Sequence, residues 1–289
     1  MAGGSLAVTR LAHVSFATKD LNTQAAFYTD RWGMEPIEEH RGEMFFHAET
    51  PDHHIFQLTS GDATGLDHVS FEVGSAEDLD RARDLLASHG VEIVTPPTAG
   101  LEPGIGKAMR FKDPEGNVVE LVAGVDRVND GYGPRDVKPK GLNHVVLFAS
   151  DMGKMEAFYR DYLGFQKSDE LPHFMTFWRC NANHHSIAFC AAHQGETGLH
   201  HAAFDTKDWQ EFLSAVFWMG ERGLIREWGP GRHLAGNNLF AYYKDPEGNV
   251  VEWTAEVKQI TDPNYVAPVR QPGPRTADQW GSKPPMSGN

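Results

Sequence analysis

DPEGNVVE occurs twice without change in this chain, at Asp113–Glu120 and at Asp245–Glu252, so the copies lie 245 − 113 = 132 residues apart. Two further pairs of segments match in the same order. RLAHVSFATKDLNTQAAFYTDRWGM, from Arg10, matches GLNHVVLFASDMGKMEAFYRDYLGF, from Gly141, and LDHVSFEV matches LHHAAFDT. The histidines of these pairs give offsets of 144 − 13 = 131 and 201 − 68 = 133. Three ordered matches at nearly one offset indicate a tandem duplication.

Each copy divides again into two similar units, in which a strand carrying a histidine leads into an amphipathic helix and then into short strands. Apolar residues recur at helical spacing over Met152–Leu163 and over Trp209–Phe217. In the first copy the corresponding helices are expected near Leu21–Trp32 and Ala76–His89. We therefore predict an α+β fold of four βαβββ units, in which each pair of units curls a sheet around a cup.

Capping residues mark the predicted ends of these helices. Ser150 or Asp151 can cap the start of the third helix, and Ser75 the start of the second. Glycines suit the C-terminal ends, where a left-handed backbone conformation is common. The predicted end points are Gly90, Gly164 and Gly220.

Changes in composition suggest where the pairs of units begin and end. We place the first pair at residues 6–125 and the second at 139–258, with GVDRVNDGYGPRDVKPKG as the linker. Residues 259–289 are rich in proline and glycine, which predicts an extended tail. Tyr265 and Trp280 are apolar anchors with which the tail, from about Thr261, is expected to cover the mouth of the second cup.

The bulk composition excludes several classes of partner. With 40 acidic and 26 basic residues the formal charge is −14, which disfavours nucleic acid and anionic membranes as partners. No apolar run approaches the roughly 20 residues of a membrane span, and the N-terminus lacks the features of a secretion signal. Two cysteines, Cys180 and Cys190, are too few for a disulfide framework. We expect a cytoplasmic protein that forms a homo-oligomer.

Three residues at matching positions of the two copies can bind a metal ion. In the second copy they are His144, His201 and Glu252, on three predicted strands. Because strand side chains alternate between faces, each strand can present one ligand to a shared cup. Two imidazoles and one carboxylate suit catalytic Fe(II) or Mn(II), and zinc is not excluded. The triplet recurs in the first copy as His13, His68 and Glu120, either as a second site or as an inherited, hydrogen-bonded remnant.

The duplicated layout, with its histidine strands and a final GNVVEW, resembles the vicinal oxygen chelate superfamily. The second copy is similar to type I extradiol catechol dioxygenases in NHHSIAF, LHHAAFDT, GPGRH and LFAYYKDPEGNVVEW, and the resemblance covers residues 6–265. It implies His144, His201 and Glu252 as metal ligands and His185 as an acid–base group. It also implies that His233 and Tyr242 hydrogen-bond the substrate oxygens. The expected pocket residues are Phe177, Trp178, His200 and Phe240, with Phe174 nearby.

The resemblance implies cleavage of a catechol-type or hydroquinone-type ring by O2 at a mononuclear Fe(II) or Mn(II) centre. The partner would be a small aromatic diol. Two alternatives remain. One is a glyoxalase-like isomerase or another metal-dependent enzyme of the same fold, and the other is a binding protein that holds an aromatic molecule in an empty cup.

The first copy departs from the pattern of the second. Counted back from Glu120, Arg110 stands at the tyrosine position, and TAGLEPGIG replaces GPGRH. A histidine does survive at the position of His185, since 185 − 131 = 54 is His54. A guanidinium cannot be deprotonated in proteins, so an unpaired one would repel a cation. The sequence thus predicts a catalytic second copy, and a first copy that is scaffold with a degenerate or secondary metal site.

Overall fold

A computed structural model describes residues 6–128, 137–271, 273 and 275–282 of the chain. Much of the predicted linker therefore lies outside the described residues. Among the residues described, no helix is both long enough and apolar enough to cross a membrane.

The first half forms an eight-stranded sheet with two helices. Its elements are β1 Val8–Thr18, α1 Leu21–Asp30, β2 Glu35–His40, β3 Glu43–His47, β4 Phe56–Ser60, β5 Gly65–Val73, α2 Ala76–Ser88, β6 Ile93–Ala99, β7 Ile105–Lys112 and β8 Val118–Val125. The strand order is β2-β3-β4-β1-β5-β8-β7-β6. Strands β1 and β5 pair antiparallel at the centre, whereas β1 pairs with β4, and β5 with β8, in parallel.

The second half repeats this plan. Its elements are β9 Gly141–Ala149, α3 Met152–Asp161, β10 Gln166–Leu171, β11 Met175–Arg179, β12 Ile187–Ala191, β13 Leu199–Asp205, α4 Trp209–Glu221, β14 Trp228–Arg232, β15 Leu239–Lys244 and β16 Val250–Ala255. The order β10-β11-β12-β9-β13-β16-β15-β14 is that of the first sheet, strand for strand. The predicted α+β duplication into two curled sheets is confirmed.

The repeated octapeptide connects the halves to each other. Asp245 accepts hydrogen bonds from the backbone of its own turn and from the Tyr28 hydroxyl on α1, at 3.0 Å. Reciprocally, the Tyr159 hydroxyl on α3 lies 3.4 Å from Asp113. The glutamate two residues into each turn accepts backbone N–H groups beside the opposite half's helix, as Glu115 does from Asp151. Each copy of the turn thus binds the half that does not contain it.

A shared apolar core lies behind the two sheets. Trp32, from the first half, stacks on Trp253 of β16 with ring centroids 4.6 Å apart and planes 10° from parallel. Trp253 alternates with Glu252 along β16, so one residue faces this core and its neighbour faces the cup. Packing the halves together therefore also sets the direction in which Glu252 points.

Most helix ends agree with the predictions, and one does not. Asp151, not Ser150, caps α3 by accepting from Lys154 N at 3.0 Å, and Ser75 caps α2. The predicted stop at Gly220 is wrong, because α4 continues to Glu221 and the left-handed residue is Gly223, with φ +73°.

The apolar stripe predicted on α4 is only partly buried. Phe212 and Val216 pack into the core, but Trp209, Leu213 and Phe217 are 50%, 40% and 66% exposed. These three recur every four residues, so they form one ridge along the outer face of the helix. We call them the α4 ridge.

Candidate metal centre

Strand register brings the three predicted ligands of the second half together. Ala203 on β13 pairs with His144 on β9 and with Glu252 on β16, so these residues lie in one row across adjacent strands. His201 lies two residues before Ala203, on the same face of β13. All three ligands point into the cup, and each is at most 3% exposed.

The donor atoms are spaced like the ligands of one ion. His201 Nε2 lies 3.1 Å from Glu252 Oε2, and His144 Nε2 lies 3.4 Å from both Glu252 Oε2 and His201 Nε2. Metal–ligand bonds of about 2.0–2.1 Å give neighbouring donors roughly 2.9–3.4 Å apart in tetrahedral or octahedral geometry. The residues present therefore fit a divalent ion.

Buried polar atoms in the cup support the same fit. Glu252 Oε2 is buried and has no hydrogen-bond partner among the described residues. Burial raises the pKa of Glu252, but the His144 and His201 rings that face its carboxylate outweigh burial and hold the pKa well below its usual value. Burial lowers the pKa of His144, so its imidazole is neutral and able to ligate.

Contacts at the other ring nitrogen, Nδ1, orient the Nε2 atoms of the two histidine ligands toward the ion position. His144 Nδ1 lies 2.7 Å from Asn143 Oδ1, whose amide nitrogen donates to Asp205 at 2.8 Å. An amide oxygen only accepts, so Nδ1 carries the proton and Nε2 keeps its lone pair for the metal. His201 Nδ1 contacts His200 Nδ1 at 2.6 Å, which restrains the orientation of the His201 ring.

His185 lies beside the ligands, just before β12. Its ring centroid is 4.1 Å from that of His144. Burial lowers the pKa of His185 well below the usual histidine value, and the nearby His144 adds to this effect. Its Nδ1 is 3.1 Å from His184 Nδ1, and His184 Nε2 faces Asp169 at 3.5 Å. His185 is thus a neutral imidazole held at the end of a polar chain that leads away from the cup.

A second polar pair faces the ligands from β14 and β15. Tyr242 pairs with Glu252 in the sheet, and its hydroxyl lies 3.0 Å from His233 Nε2. His233 Nδ1 donates to the Ala277 carbonyl at 2.5 Å. In the neutral ring Nε2 therefore accepts a hydrogen bond from the Tyr242 hydroxyl. Burial raises the pKa of Tyr242 well above its usual value, with the Glu252 charge adding to this, and therefore keeps the phenol protonated.

A cavity of about 660 Å³, including its mouth, opens onto His144 and His201. It brings together His185, His233 and Tyr242 with the predicted Phe174, Phe177 and His200. Sequence reasoning missed further wall residues: Trp228, Asn238, Thr276, Ala277 and the apolar Val146, Leu171, Met175, Cys190 and Ala235. Strand alternation from Phe177 to Met175 could have identified part of this wall, whereas Thr276 and Ala277 come from the tail.

Two of the predicted pocket residues lie elsewhere. Trp178 follows Phe177 on β11, so its ring faces the opposite side of the sheet, where it is buried in the core and donates to Thr176. Its assignment to the substrate pocket is corrected accordingly. Phe240 lies behind the cavity, stacked on His233 with centroids 4.0 Å apart. It supports the His233 ring but does not line the cavity.

The tail contacts this half at several points. Thr276 and Ala277 form part of the cavity wall. The predicted anchor Tyr265 instead packs along β10, with its hydroxyl 3.0 Å from the Ser168 carbonyl. The other predicted anchor, Trp280, is 54% exposed. The tail therefore reaches the cavity mouth by its backbone and small side chains.

The first sheet also gathers its triplet, with a fourth donor that the sequence did not single out. His13, His68, Glu120 and Glu102 place one donor atom each within 4.8 Å of one another. Arg110, expected to be unpaired, donates to Glu120 at 2.9 Å and also contacts Glu102. The prediction of an unpaired guanidinium is therefore wrong.

Comparison with known proteins agrees with this architecture. The family described as Glyoxalase/Bleomycin resistance protein/Dioxygenase superfamily matches residues 10–121 and 141–253. Metapyrocatechase 2 of Cupriavidus necator is 30% identical over 69% of this chain and 67% of its own length. A manganese-dependent 2,3-dihydroxybiphenyl 1,2-dioxygenase of Geobacillus genomosp. 3 is 25% identical over 89% of this chain and 88% of its own.

Among solved structures, the Mn(II)-bound glyoxalase from Novosphingobium aromaticivorans is similar over 97% of this chain and 93% of that one. The TM-score is 0.91 and the sequence identity 33%. Both halves are matched by the family, and the whole length is matched by this structure. The chain therefore belongs to the Glyoxalase/Bleomycin resistance protein/Dioxygenase superfamily, as a duplicated member of it.

Proposed function

We propose that this chain is an extradiol dioxygenase that uses O2 to cleave the aromatic ring of a catechol-type or hydroquinone-type diol. Its ion is Fe(II) or Mn(II), held by His144, His201 and Glu252. The observation that carries the proposal is the convergence, in one mostly apolar cavity, of this triad with His185, His233 and Tyr242. Two curated relatives whose names include ring-cleaving activities support the same assignment.

Three protein ligands leave positions open for other molecules at the ion. When bound, the ion supplies a shared centre at which an electron-rich diol and O2 can exchange electrons. The protein's own contribution is to orient the diol and exclude water around it. Phe174, Phe177 and Trp228 provide a flat, apolar wall for an aromatic ring.

His185 is suited to proton transfer. Its imidazole is neutral, buried and packed beside His144, so it can take a proton from a diol and return one during ring opening. The contact with His184 holds the ring, and Asp169 in turn faces His184. His185 is the residue proposed as the acid–base group.

His233 and Tyr242 are suited to hydrogen bonding with substrate oxygens. Tyr242 lies beside His201, with ring centroids 5.1 Å apart, and the Ala277 carbonyl and the stacked Phe240 ring hold His233. Of the pair, the Tyr242 hydroxyl is the donor: it can turn from His233 Nε2 to a substrate oxygen and stabilise charge that develops there, and Nε2 can then accept from a substrate hydroxyl. His200 lines the same cavity, and burial lowers its pKa to about 3, so it is neutral as well.

The cavity favours a diol without a charged substituent. Apart from the proposed ligand Glu252, the described residues around it include no lysine, arginine, aspartate or glutamate side chain. A carboxylate on the ring would lose its hydration there without gaining a partner. Catechols with alkyl or aryl substituents are therefore the proposed substrate class.

The second candidate is a glyoxalase-like isomerase, which is favoured by the similarity to the manganese-bound glyoxalase structure. An isomerase of this kind needs a metal ion but no O2. All three donors proposed here come from one sheet, and the cavity holds three further polar rings beside them. These features fit a diol and O2 better than the alternative.

The test is turnover by anaerobically purified chain loaded with Fe(II) or, separately, Mn(II). Catechol, 3- and 4-alkylcatechols, a 2,3-dihydroxybiphenyl, hydroquinone and a carboxylated catechol are each supplied with O2. We expect equimolar uptake of O2 and diol with a ring-opened product, best for the uncharged substrates. Oxygen-independent turnover of a thiol hemithioacetal, with no O2 uptake for any diol, would contradict the proposal.

We also propose a cytoplasmic homo-oligomer. Cys180 and Cys190 are both free, which suits a reducing compartment. The α4 ridge exposes three large apolar side chains at helical spacing, which suits contact with a second copy. Sedimentation of the wild type and of a Phe217→Lys variant tests the second point, and a monomeric wild type contradicts it.

A further inference from the structure

The cup of the first sheet contains a second cluster of metal-ligating side chains. Ser70 on β5 pairs with His13 on β1 and with Glu120 on β8, as Ala203 pairs with its neighbours in the second sheet. His68 lies two residues before Ser70 on the same face. Glu102, from the turn between β6 and β7, completes the cluster.

We propose that this cluster binds a second divalent first-row transition-metal ion, in a closed structural site formed by His13, His68, Glu102 and Glu120. Such a site requires no substrate and does not depend on the proposed ring cleavage. Its donors are two imidazole nitrogens and two carboxylate oxygens, a set that suits zinc among other ions.

The donor spacings fit one ion. His13 Nε2 lies 3.0 Å from His68 Nε2, 3.3 Å from Glu102 Oε2 and 3.4 Å from Glu120 Oε1. His68 Nε2 lies 3.8 Å from Glu120 Oε1. These separations of 3.0–3.8 Å are close to the 3.1–3.4 Å of the second sheet.

Neighbouring side chains hold the ligands in the required orientation. His68 Nδ1 lies 2.7 Å from Asp67 Oδ2, so Nδ1 carries the proton and Nε2 presents its lone pair to the cluster. Ser70 donates to Glu120 Oε1 at 2.8 Å. Three of the four ligands, His68, Glu102 and Glu120, thus have a partner outside the cluster, as ligands of metal sites usually do.

Two buried atoms are left without a hydrogen bond in this cup. Glu102 Oε2 and His54 Nε2 have no such partner among the described residues, although both side chains are almost fully buried. A buried carboxylate oxygen without a hydrogen bond is costly unless a cation compensates it. A metal ion ligated by Glu102 Oε2 removes that cost.

The charges are also consistent with a cation. Carboxylates that ligate a metal are ionised, and Arg110 contacts both of them, so the metal-binding form of the cluster carries −2 + 1 = −1 with its imidazoles neutral. The second sheet's triad carries −1 as well, from Glu252 alone. The guanidinium therefore offsets the additional glutamate, and the first cup attracts a divalent ion with the same formal charge as the second.

Glu102 makes this site closed. A Cβ at Gly104 would lie 2.1 Å from His53 Cγ, and its φ is +70°, so only glycine lets the turn pass this close. The turn thereby brings Glu102 to the ligands, where it is 3% exposed. With four protein donors and no open side, the ion would stabilise the fold and would not bind substrate.

The test is the number of ions per folded chain, measured by elemental analysis after incubation with excess Zn²⁺ and removal of free metal. We expect two ions in the wild type, one in Glu252→Gln and one in Glu102→Gln. Glu92→Gln, which changes an exposed carboxylate outside the cup, should keep two. The Glu252→Gln chain should still lose thermal stability on chelation.

One ion in the wild type, together with none in Glu252→Gln, would overturn the proposal. If Glu102→Gln does not fold, the count in Glu252→Gln decides alone, because that variant leaves the first cup intact. X-ray absorption of zinc in Glu252→Gln should show two imidazoles in a four-coordinate N/O shell. A spectrum without imidazole would equally overturn the proposed ligand set.

Discussion

At the scale of single residues, a substitution of His185 should distinguish proton transfer from metal binding. It packs beside His144 but is not a member of the donor cluster. We expect His185→Phe to retain its metal and to lose about 10²–10⁴-fold in kcat, the usual contribution of general acid–base catalysis. Metal analysis and kcat at several pH values check this. Near-normal turnover across that range would show that another group transfers the proton.

The repeat made the ligand residues predictable. His144, His201 and Glu252 could be identified from sequence because their strand spacing occurs twice and side chains alternate along strands. Glu102 could not be identified, because it lies in the β6–β7 turn, whose sequence has no match in the other copy. Trp178 was placed on the wrong face, since the sequence alone did not fix which of two adjacent aromatic residues on β11 points to the cup.

At the scale of elements, the repeated turn should stabilise both halves equally. Asp245→Ala removes the acceptor of two backbone N–H groups and of the Tyr28 hydroxyl, so buried donors lose their partner. Each such loss typically costs about 1–3 kcal/mol. We expect a lower thermal unfolding midpoint for Asp245→Ala and a similar drop for Asp113→Ala. Unchanged midpoints would show that the turns do not hold the halves together.

The tail is the other element with a testable role. The Ala277 carbonyl accepts a hydrogen bond from His233 Nδ1, and Thr276 forms part of the cavity wall. Deleting residues 261–289 leaves His233 free to rotate and opens the cavity to water. We expect a raised KM and faster loss of metal, measured by steady-state kinetics and by exchange into chelator. If KM and the rate of metal loss both stay at their parental values, the tail has no role at the cavity.

Helix and strand positions followed from periodicity, but two details depended on tertiary packing. Gly220 suggests a stop in sequence, yet it stays helical and α4 ends at Glu221, with Gly223 as the left-handed residue. Helical spacing predicted one apolar stripe on α4, yet the α4 ridge within that stripe faces outward. Periodicity identifies the apolar side of a helix. Packing against the neighbouring sheet decides how many residues on that side are buried.

At the scale of the whole molecule, the two halves share a fold but are proposed to differ in use. Glu252→Gln should abolish turnover, because it removes the only carboxylate of the triad. Glu120→Gln should leave turnover within a few-fold of the parent, although it should lower stability, since Glu120 is fully buried and contacts Arg110. Activity per folded, metal-loaded chain is the measurement. The reverse pattern would assign the chemistry to the first sheet.

Duplication made the architecture predictable, and comparison of the two copies made their difference visible. The single substitution of arginine for tyrosine at Arg110 marked the first cup as different. Its pairing with Glu102 and Glu120 could be found only in three dimensions, because the two carboxylates come from different elements.

The proposed ring cleavage is tested most directly by the fate of labelled oxygen. Metal-loaded chain is mixed with an uncharged alkylcatechol under ¹⁸O₂, and the product is analysed by mass spectrometry before any aldehyde oxygen exchanges with water. We predict a ring-opened product that carries both labelled atoms, with none formed by Glu252→Gln. An intact ring, or a product without label, would contradict the assignment of this chain as an extradiol dioxygenase.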